Sequence, residues 1–306
     1  MPTPAPNRAV RVRVPAKVNL HLGVGPLRPD GYHELVTVYQ AVDLCDEITV
    51  TAAEVLHIVV TGENADQVPT GSTNLAWEAA VQLAQHVRVP PQVRLEIAKS
   101  IPVAGGMAGG SADAAAALLG CATLWDAGTS RAELSMLAAR IGSDVAFPLH
   151  GGTALATGRG ELISPALTAG VCHWVFAFAS FGLSAGQVYA ELDRLRAAGQ
   201  APPPLARPDA LLDAARAGDA RRLAAHLGND LEAAAISLAP SLRRTLAAGR
   251  DLGALAAMIS GSGPTCAFLC ADADAATALA AALMAEDVCR TTRVATGPVP
   301  GARVVA

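Results

Sequence analysis

The chain has 306 residues and a formal net charge of −4, and it is 52% hydrophobic but only 4% aromatic. That length holds one large domain or two ordinary ones, and the mild acidity argues against a nucleic-acid or membrane-surface binder. Six scattered cysteines form no C-x-x-C pair and no zinc spacing, and no apolar run is long enough to span a bilayer, so a cytoplasmic protein with reduced thiols is expected.

Residues 10–24, VRVRVPAKVNLHLGV, alternate as a strand does, with Pro15 as an interruption. PLRPDGYHEL is a Pro/Gly turn leading into the extended run VTVYQAVDL, and DEITVTAAE and LHIVVTGE predict further short strands. TNLAWEAAVQLAQHV has the period of an amphipathic helix capped by Thr73 or Asn74, and QVRLEIAKSIP is a strand. That strand delivers the chain to AGGMAGG and then to an alanine-rich helix running to about Trp125, with Ser111 or a neighbour as N-cap and Asp113 in the first turn. SRAELSMLAARIG predicts a helix opened by a Ser130–Glu133 capping box. SDVAFPLHGGTALATGRGE reads as loop and strand, with Asp144 entering an apolar strand.

The second half opens with the strand HWVFAFAS, followed by a turn and helix in GLSAGQVYAELDRLR. GQAPPPLARP is the most linker-like stretch, but it lies between helices. A helical region rich in Ala, Leu and Arg leads to a second glycine cluster, ISGSGPTCAFLC, and the end alternates a helix over 272–285 with the strand VCRTTRVATG. The order of elements predicts an α+β class with a domain boundary near 160–170.

Glycine loses more entropy on folding than any other residue, so a glycine cluster signals close approach of the backbone to something. Feeding a helix N-terminus, it is a ready anion site, because free N–H groups and the helix dipole point the same way. Two familiar phosphate loops do not match. The G-x-G-x-x-G pattern fails at Met107 and Ala108, and the Walker pattern places Ser111 where lysine is needed. The stretch is a phosphate loop of another kind, or a tight turn. Lysine is also informative: of 23 basic residues only Lys17 and Lys99 are lysines. A compact ammonium is a point charge that a planar guanidinium does not mimic, so these two positions are candidates for a special role.

Three clusters, PAKVNLHLGVGPLRPDGYHEL, IPVAGGMAGGSADAA and ISGSGPTCAFL, together resemble the GHMP kinase superfamily. The P-A-K-[LVI]-N-L motif is Pro15 to Leu20, and R-x-D-G-Y-H is Arg28 to His33. The phosphate loop is Pro102 to Ala115, G-[AS]-D-V-P-F is Gly142 to Phe147, and M-S-G-S-G-P-[TS] is Ile259 to Thr265. The motifs stand in the family's order across nearly the whole chain. Met107, Ala108, Ala112 and Ala146 depart from its pattern.

The resemblance implies an α+β, two-domain GHMP kinase fold, with an ATP-binding N-terminal domain over 1–165, a C-terminal domain over 166–306 and the active site in the cleft between them. It implies Asp144 as catalytic base, with Lys17 beside it. For ATP it implies the loop Pro102, Val103, Ala104, Gly105, Gly106, Met107, Ala108, Gly109, Gly110, Ser111 and Ala112, with Lys99 and Asn74 near the adenine. Lys99 and Asn74 read equally well as a solvated lysine and a helix cap. For the acceptor it implies Asn19, Tyr32, His33, Tyr189, Gly261, Ser262 and Gly263, with Tyr32 and Tyr189 flanking a cytosine and His33 bonding its edge. Mg²⁺ is expected with ATP, and no protein ligand for it is assigned. The D-G-Y-H element and Tyr189 point to a member that phosphorylates the 2-hydroxyl of a cytidyl diphosphate sugar alcohol, diphosphocytidyl methylerythritol. A homoserine or mevalonate type of kinase is the alternative within the family. Outside it, the alternative is a catalytically silent nucleotide-binding regulator.

Overall fold

Two sheets organise the chain in the computed structural model, which describes residues 8–103 and 105–305. The first is eight-stranded and grows from one long hairpin, β1 (Ala9–Leu27) and β2 (His33–Ala52). DEITV is the second half of β2 rather than a separate strand. Val10 to Pro15 of β1 and Val93 to Ala98 of the next strand but one pair with it on either side, so its ladder is satisfied without a break. β3 (His57–Gly62) and β4 (Val93–Lys99) pair in parallel and extend the sheet beyond β2. β5 (Thr153–Thr157) pairs with the first half of β2, and β6 (Leu162–Ala166) pairs with β5.

Four helices cover this sheet: α1 (Leu75–Val87), α2 (Gly109–Leu124), α3 (Arg131–Ile141) and α4 (Ala146–His150). The alanines of α2 allow close approach to the hairpin, and at Gly120 a Cβ would lie 2.5 Å from Val50 Cγ2. The start signals of α1 and α3 are those expected. Asn74 caps α1 by accepting from the Ala76 N–H, and Ser130 and Glu133 form a reciprocal capping box at α3.

The second sheet has the order β11 (Thr291–Gly297), β7 (Cys172–Phe178), β10 (Cys266–Cys270), β9 (Ala256–Ile259), all antiparallel. Around it lie α5 (Ala185–Ala197), α8 (Glu232–Leu238), α9 (Ser241–Asp251) and α10 (Ala273–Ala285), with α6 (Asp209–Ala217) and α7 (Ala220–Ala224) toward the first sheet. Two short strands return to the first sheet and pair with β1: β8 (Gly228–Asn229) and β12 (Arg303–Val305). The sheets share an apolar core that includes Trp174 and Phe176, and the Trp174 indole donates to Gln40 of β2 at 3.0 Å. Asp43 accepts from the Thr296 N–H and hydroxyl across the same junction.

Candidate active site

The site begins with two irregularities in the β1–β2 ladder. Register shifts fall between Pro15 and Ala16 and again between Asn19 and His21. The short regular segment between them buries Ala16, Val18 and Leu20 in the core. Alternation puts Lys17 and Asn19 on the opposite face, where Tyr39 faces Asn19 from β2. Lys17 donates to Asn19 Oδ1 at 2.6 Å, Asn19 donates to the Thr37 hydroxyl at 2.9 Å, and Thr37 donates to the His21 carbonyl at 2.6 Å. This chain of bonds fixes the ammonium.

Asp144 meets the ammonium from a different part of the fold. It lies in the turn between α3 and α4, not at the entrance of a strand, because Ala146 to His150 close a short helix. Lys17 Nζ is 3.6 Å from Asp144 Oδ2, and the Tyr39 hydroxyl donates to Oδ1 at 2.8 Å. Burial, and then the Asp144 charge, push the Tyr39 phenol well above its usual range, so it stays protonated and donating. Lys17 is buried, whereas the Asp144 side chain is 32% exposed.

Opposite these residues is the glycine loop. Ala108 adopts a left-handed conformation with φ 59°, and α2 starts directly after it with no side-chain cap among the described residues. An alanine held there costs about 1–2 kcal/mol. Ser111 is therefore the third helical residue and not the N-cap, and Asp113 lies beyond the first turn. The uncapped start, Gly109 to Ser111, lines a cleft of about 470 Å³ that Lys17, Asn19, Tyr39 and Asp144 also line. The second glycine cluster seals the loop from behind. The Ser260 hydroxyl donates to the Gly106 carbonyl at 3.2 Å, and a Cβ at Gly106 would overlap the Ser260 carbonyl.

Lys99 is not a solvated lysine. It is buried between two buried carboxylates, donating to Asp46 and, at 2.8 Å, to Asp113. Asp46 also accepts from the N–H groups of Ser100 and Ile101, at 2.6 and 2.8 Å, so it holds the entrance of the glycine loop. Desolvation raises the Asp113 carboxyl to about 8 against the opposing pull of Lys99, and Asp46 adds to the rise. The second oxygen of Asp113 is buried and has no hydrogen-bond partner among the described residues.

Of the residues expected at ATP, Asn74, Lys99, Pro102, Val103, Gly105, Gly106, Ala108, Gly109, Gly110 and Ser111 line the cleft. Met107 and Ala112 do not: both side chains are buried in the hydrophobic core under the loop. Ala104 lies outside the described residues. Of the residues expected at the acceptor, Asn19, Tyr189, Gly261, Ser262 and Gly263 line the cleft, whereas Tyr32 and His33 do not. Tyr189 stacks on His33 with centroids 5.1 Å apart, and His33 bonds Asp193 at 3.0 Å. Tyr32 is 51% exposed, with the Arg159 guanidinium 4.7 Å from its ring centroid.

Sequence reasoning missed Tyr39, Asp46 and Asn229. Asn229 donates to the carbonyls of Ile259 and Gly261 at 2.8 and 2.7 Å and accepts from the Leu231 N–H, pinning the second glycine cluster to β1 through β8. The scarcity of tyrosine was the one signal available for Tyr39. No local pattern marks the other two. Among the described residues no three His, Cys, Asp or Glu side chains group as metal ligands, and no helix is long and apolar enough to cross a membrane.

Comparison with known proteins places this geometry. Residues 74–152 match the model of the GHMP kinases N terminal domain, and residues 211–287 that of the GHMP kinases C terminal domain. The 4-diphosphocytidyl-2-C-methyl-D-erythritol kinase of Nocardia farcinica is 61% identical over 296 residues, covering 97% of this chain and 96% of that protein. The protein of the same name from Mycobacterium tuberculosis (strain ATCC 25618 / H37Rv) is 58% identical over 300 residues, covering 98% of this chain and 94% of that one. A crystal structure of 4-(cytidine 5'-diphospho)-2C-methyl-D-erythritol kinase superposes with a TM-score of 0.76 at 32% identity, covering 93% of this chain and 98% of that one. Homoserine kinase from Cytophaga hutchinsonii shares the fold, with a TM-score of 0.77 at 16% identity and full coverage of both chains.

Proposed function

The chain belongs to the GHMP kinase family, and we propose that it transfers the γ-phosphoryl group of ATP to the 2-hydroxyl of 4-diphosphocytidyl-2-C-methyl-D-erythritol. The products are ADP and the 2-phosphate, in the non-mevalonate route to isoprenoid precursors, and the setting is cytoplasmic. Relatives with that printed name, near 60% identical over almost the whole chain, support the acceptor over homoserine or mevalonate. The observation that carries the chemistry is the Lys17–Asp144 pair, 3.6 Å apart, facing an uncapped helix start across one cleft. A silent regulator has no need of that pair.

In this reading Asp144 accepts the proton of the acceptor hydroxyl as it attacks the γ-phosphorus. Lys17 favours the ionised carboxylate and offsets charge gathering at the reacting oxygens. Tyr39 holds the carboxylate in place, and Asn19 orients both Lys17 and the methylerythritol hydroxyls. The acceptor is a tertiary alcohol, so positioning supplies much of the rate. Free N–H groups of Gly105 to Ser111 take the ATP phosphates. Lys99 and Asn74 shape the adenine end with polar groups already engaged in the protein. Gly261, Ser262 and Gly263 close the cleft, and Tyr189, His33 and Tyr32 provide the cytidine end. Mg²⁺ accompanies ATP. The described residues offer no cluster of three His, Cys, Asp or Glu ligands for it, so phosphates and water would hold the ion, where it would neutralise phosphate charge. Residues 1–165 are assigned as the ATP-binding domain and 166–306 as the C-terminal domain, with β8 and β12 crossing back.

The test is ADP release with each candidate acceptor. Turnover is expected with the cytidyl diphosphate compound and at background with homoserine or mevalonate. Turnover confined to either of those, or ATP binding without turnover on any acceptor, overturns the assignment.

A further inference from the structure

We infer that Arg159 binds the diphosphate of the acceptor and so sets its preference for a cytidine diphosphate over a bare cytidine. The inference rests on the acceptor proposed above and goes beyond it in naming a residue outside the motifs quoted above.

Arg159 lies at the tip of the β5–β6 turn, and three hydrogen bonds fix its position. The Gly158 carbonyl accepts from the Leu35 N–H at 2.7 Å, the Arg159 N–H donates to Glu161 at 2.6 Å, and one guanidinium nitrogen donates to the Ala139 carbonyl at 3.3 Å. On one side the guanidinium covers one face of Tyr32, 4.7 Å from the ring centroid. On the other, the backbone runs directly against Tyr39 and Asp144. A Cβ at Gly160 would lie 2.5 Å from the Tyr39 hydroxyl and 3.8 Å from Asp144 Oδ1.

The acceptor is ordered base, ribose, diphosphate, methylerythritol. With its base at Tyr32 and Tyr189 and its hydroxyl at Asp144, the acceptor's diphosphate runs between those two ends, and the β5–β6 turn touches both: Arg159 lies on Tyr32 just outside the lining of the cleft, and the next residue, Gly160, lies against Asp144. A guanidinium has five N–H donors in a planar fork that matches phosphate oxygens. One nitrogen of Arg159 reaches Ala139, and its nearest carboxylate, Glu161, is 3.9 Å from Nε, so most of the fork is open to a ligand. Its side chain is 26% exposed, which leaves phosphate access while keeping water from screening it fully.

The experiment is calorimetric titration of the full chain with cytidine, CMP and CDP, for the wild type, Arg159→Ala, Arg159→Gln and Arg159→Lys. CDP is expected to bind the wild type about tenfold tighter than cytidine, in line with charge-assisted hydrogen bonds. Arg159→Ala and Arg159→Gln lose that gain while cytidine affinity stays near wild type, and Arg159→Lys keeps part of it. The KM for ATP is unchanged in all three. A preference for CDP that survives in Arg159→Ala overturns the inference, as does an equal loss for cytidine and CDP, which would make Arg159 only a prop for Tyr32. Failure of the wild type to bind any of the cytidine series instead overturns the acceptor itself. The CDP-to-cytidine ratio is internal to each variant, so partial unfolding does not mimic the effect.

Discussion

The Lys17 ammonium sits 3.6 Å from Oδ2 of Asp144, although β1 supplies one residue and the α3–α4 turn the other. Asp144→Asn keeps the shape and removes the proposed proton acceptor, so turnover is expected to fall by roughly 10²–10⁴-fold with both substrates still binding. Lys17→Arg is also expected to be impaired, because a larger planar cation does not fit where an ammonium bonds Asn19 at 2.6 Å. In the proposed mechanism the two residues serve one proton transfer, so the double variant is expected to lose much less than the product of the single losses. Steady-state kinetics on the four proteins decide. Near-normal turnover in Asp144→Asn removes it from the catalytic role.

Tyr39→Phe deletes only the hydroxyl that donates to Asp144 Oδ1. A hydrogen bond to a charged group contributes about 1.5–3 kcal/mol, so kcat is expected to fall roughly tenfold to hundredfold. The KM values hold, because the ring remains packed on Phe147. An unchanged kcat shows the hydroxyl to be dispensable.

Two glycines of the glycine loop separate structure from the proposed ligand binding. At Gly110 a Cβ has its nearest neighbour at 4.0 Å, and the residue is helical. Gly110→Ala is therefore expected to hold or raise the thermal midpoint, since helix propensity adds up to about 1 kcal/mol of stability. Its ATP affinity falls roughly tenfold or more as a methyl displaces phosphate from the N–H groups. Gly106 has φ 71° and lies against the Ser260 carbonyl, so Gly106→Ala lowers the midpoint as well. Unchanged ATP affinity in a folded Gly110→Ala returns the stretch to a tight turn.

The buried Lys99 cluster carries a pH signature. The Asp113 carboxyl is raised from 3.8 to about 8, chiefly by desolvation. Between those values the folded protein holds a proton that the unfolded chain has released, so stability falls as pH rises through that window. Asp113→Asn is expected to flatten the slope, read as urea midpoints at acid and mildly alkaline pH. For Lys99, burial pulls downward, but Asp113 and Asp46 outweigh it and hold the ammonium above its usual 10.5, so its contribution is lost only in more alkaline solution. Lys99→Met leaves two buried carboxyls without their cation and is expected to cost about 3–5 kcal/mol. A slope that persists in Asp113→Asn assigns the titration elsewhere.

Tyr189 tests the acceptor end. Its ring is stacked on His33 and lines the cleft. Tyr189→Ala is expected to raise the KM for the cytidyl acceptor by an amount equivalent to about 1–3 kcal/mol of stacking, leaving the KM for ATP alone. The opposite pattern reverses the two pockets.

Local features were legible in the sequence because they depend on neighbours a few residues away. Alternation announced β1, the Ser130–Glu133 box opened α3, Asn74 capped α1, and AGGMAGG marked where the backbone must come close to something. The rarity of lysine singled out two positions, and both are buried in ion pairs. Their partners were another matter. Asp113 looked like a first-turn helix residue and Asp46 like part of a strand, yet both face Lys99 because β2, β4 and α2 converge there. Tyr39 joined the site only because the shifts in the β1–β2 register turn it toward Asp144, and Asn229 holds the second glycine cluster only because β8 returns to β1. Such pairings are set by ladder register and helix packing between segments far apart in the chain, and a one-residue slip in a ladder sends the side chain to the opposite face.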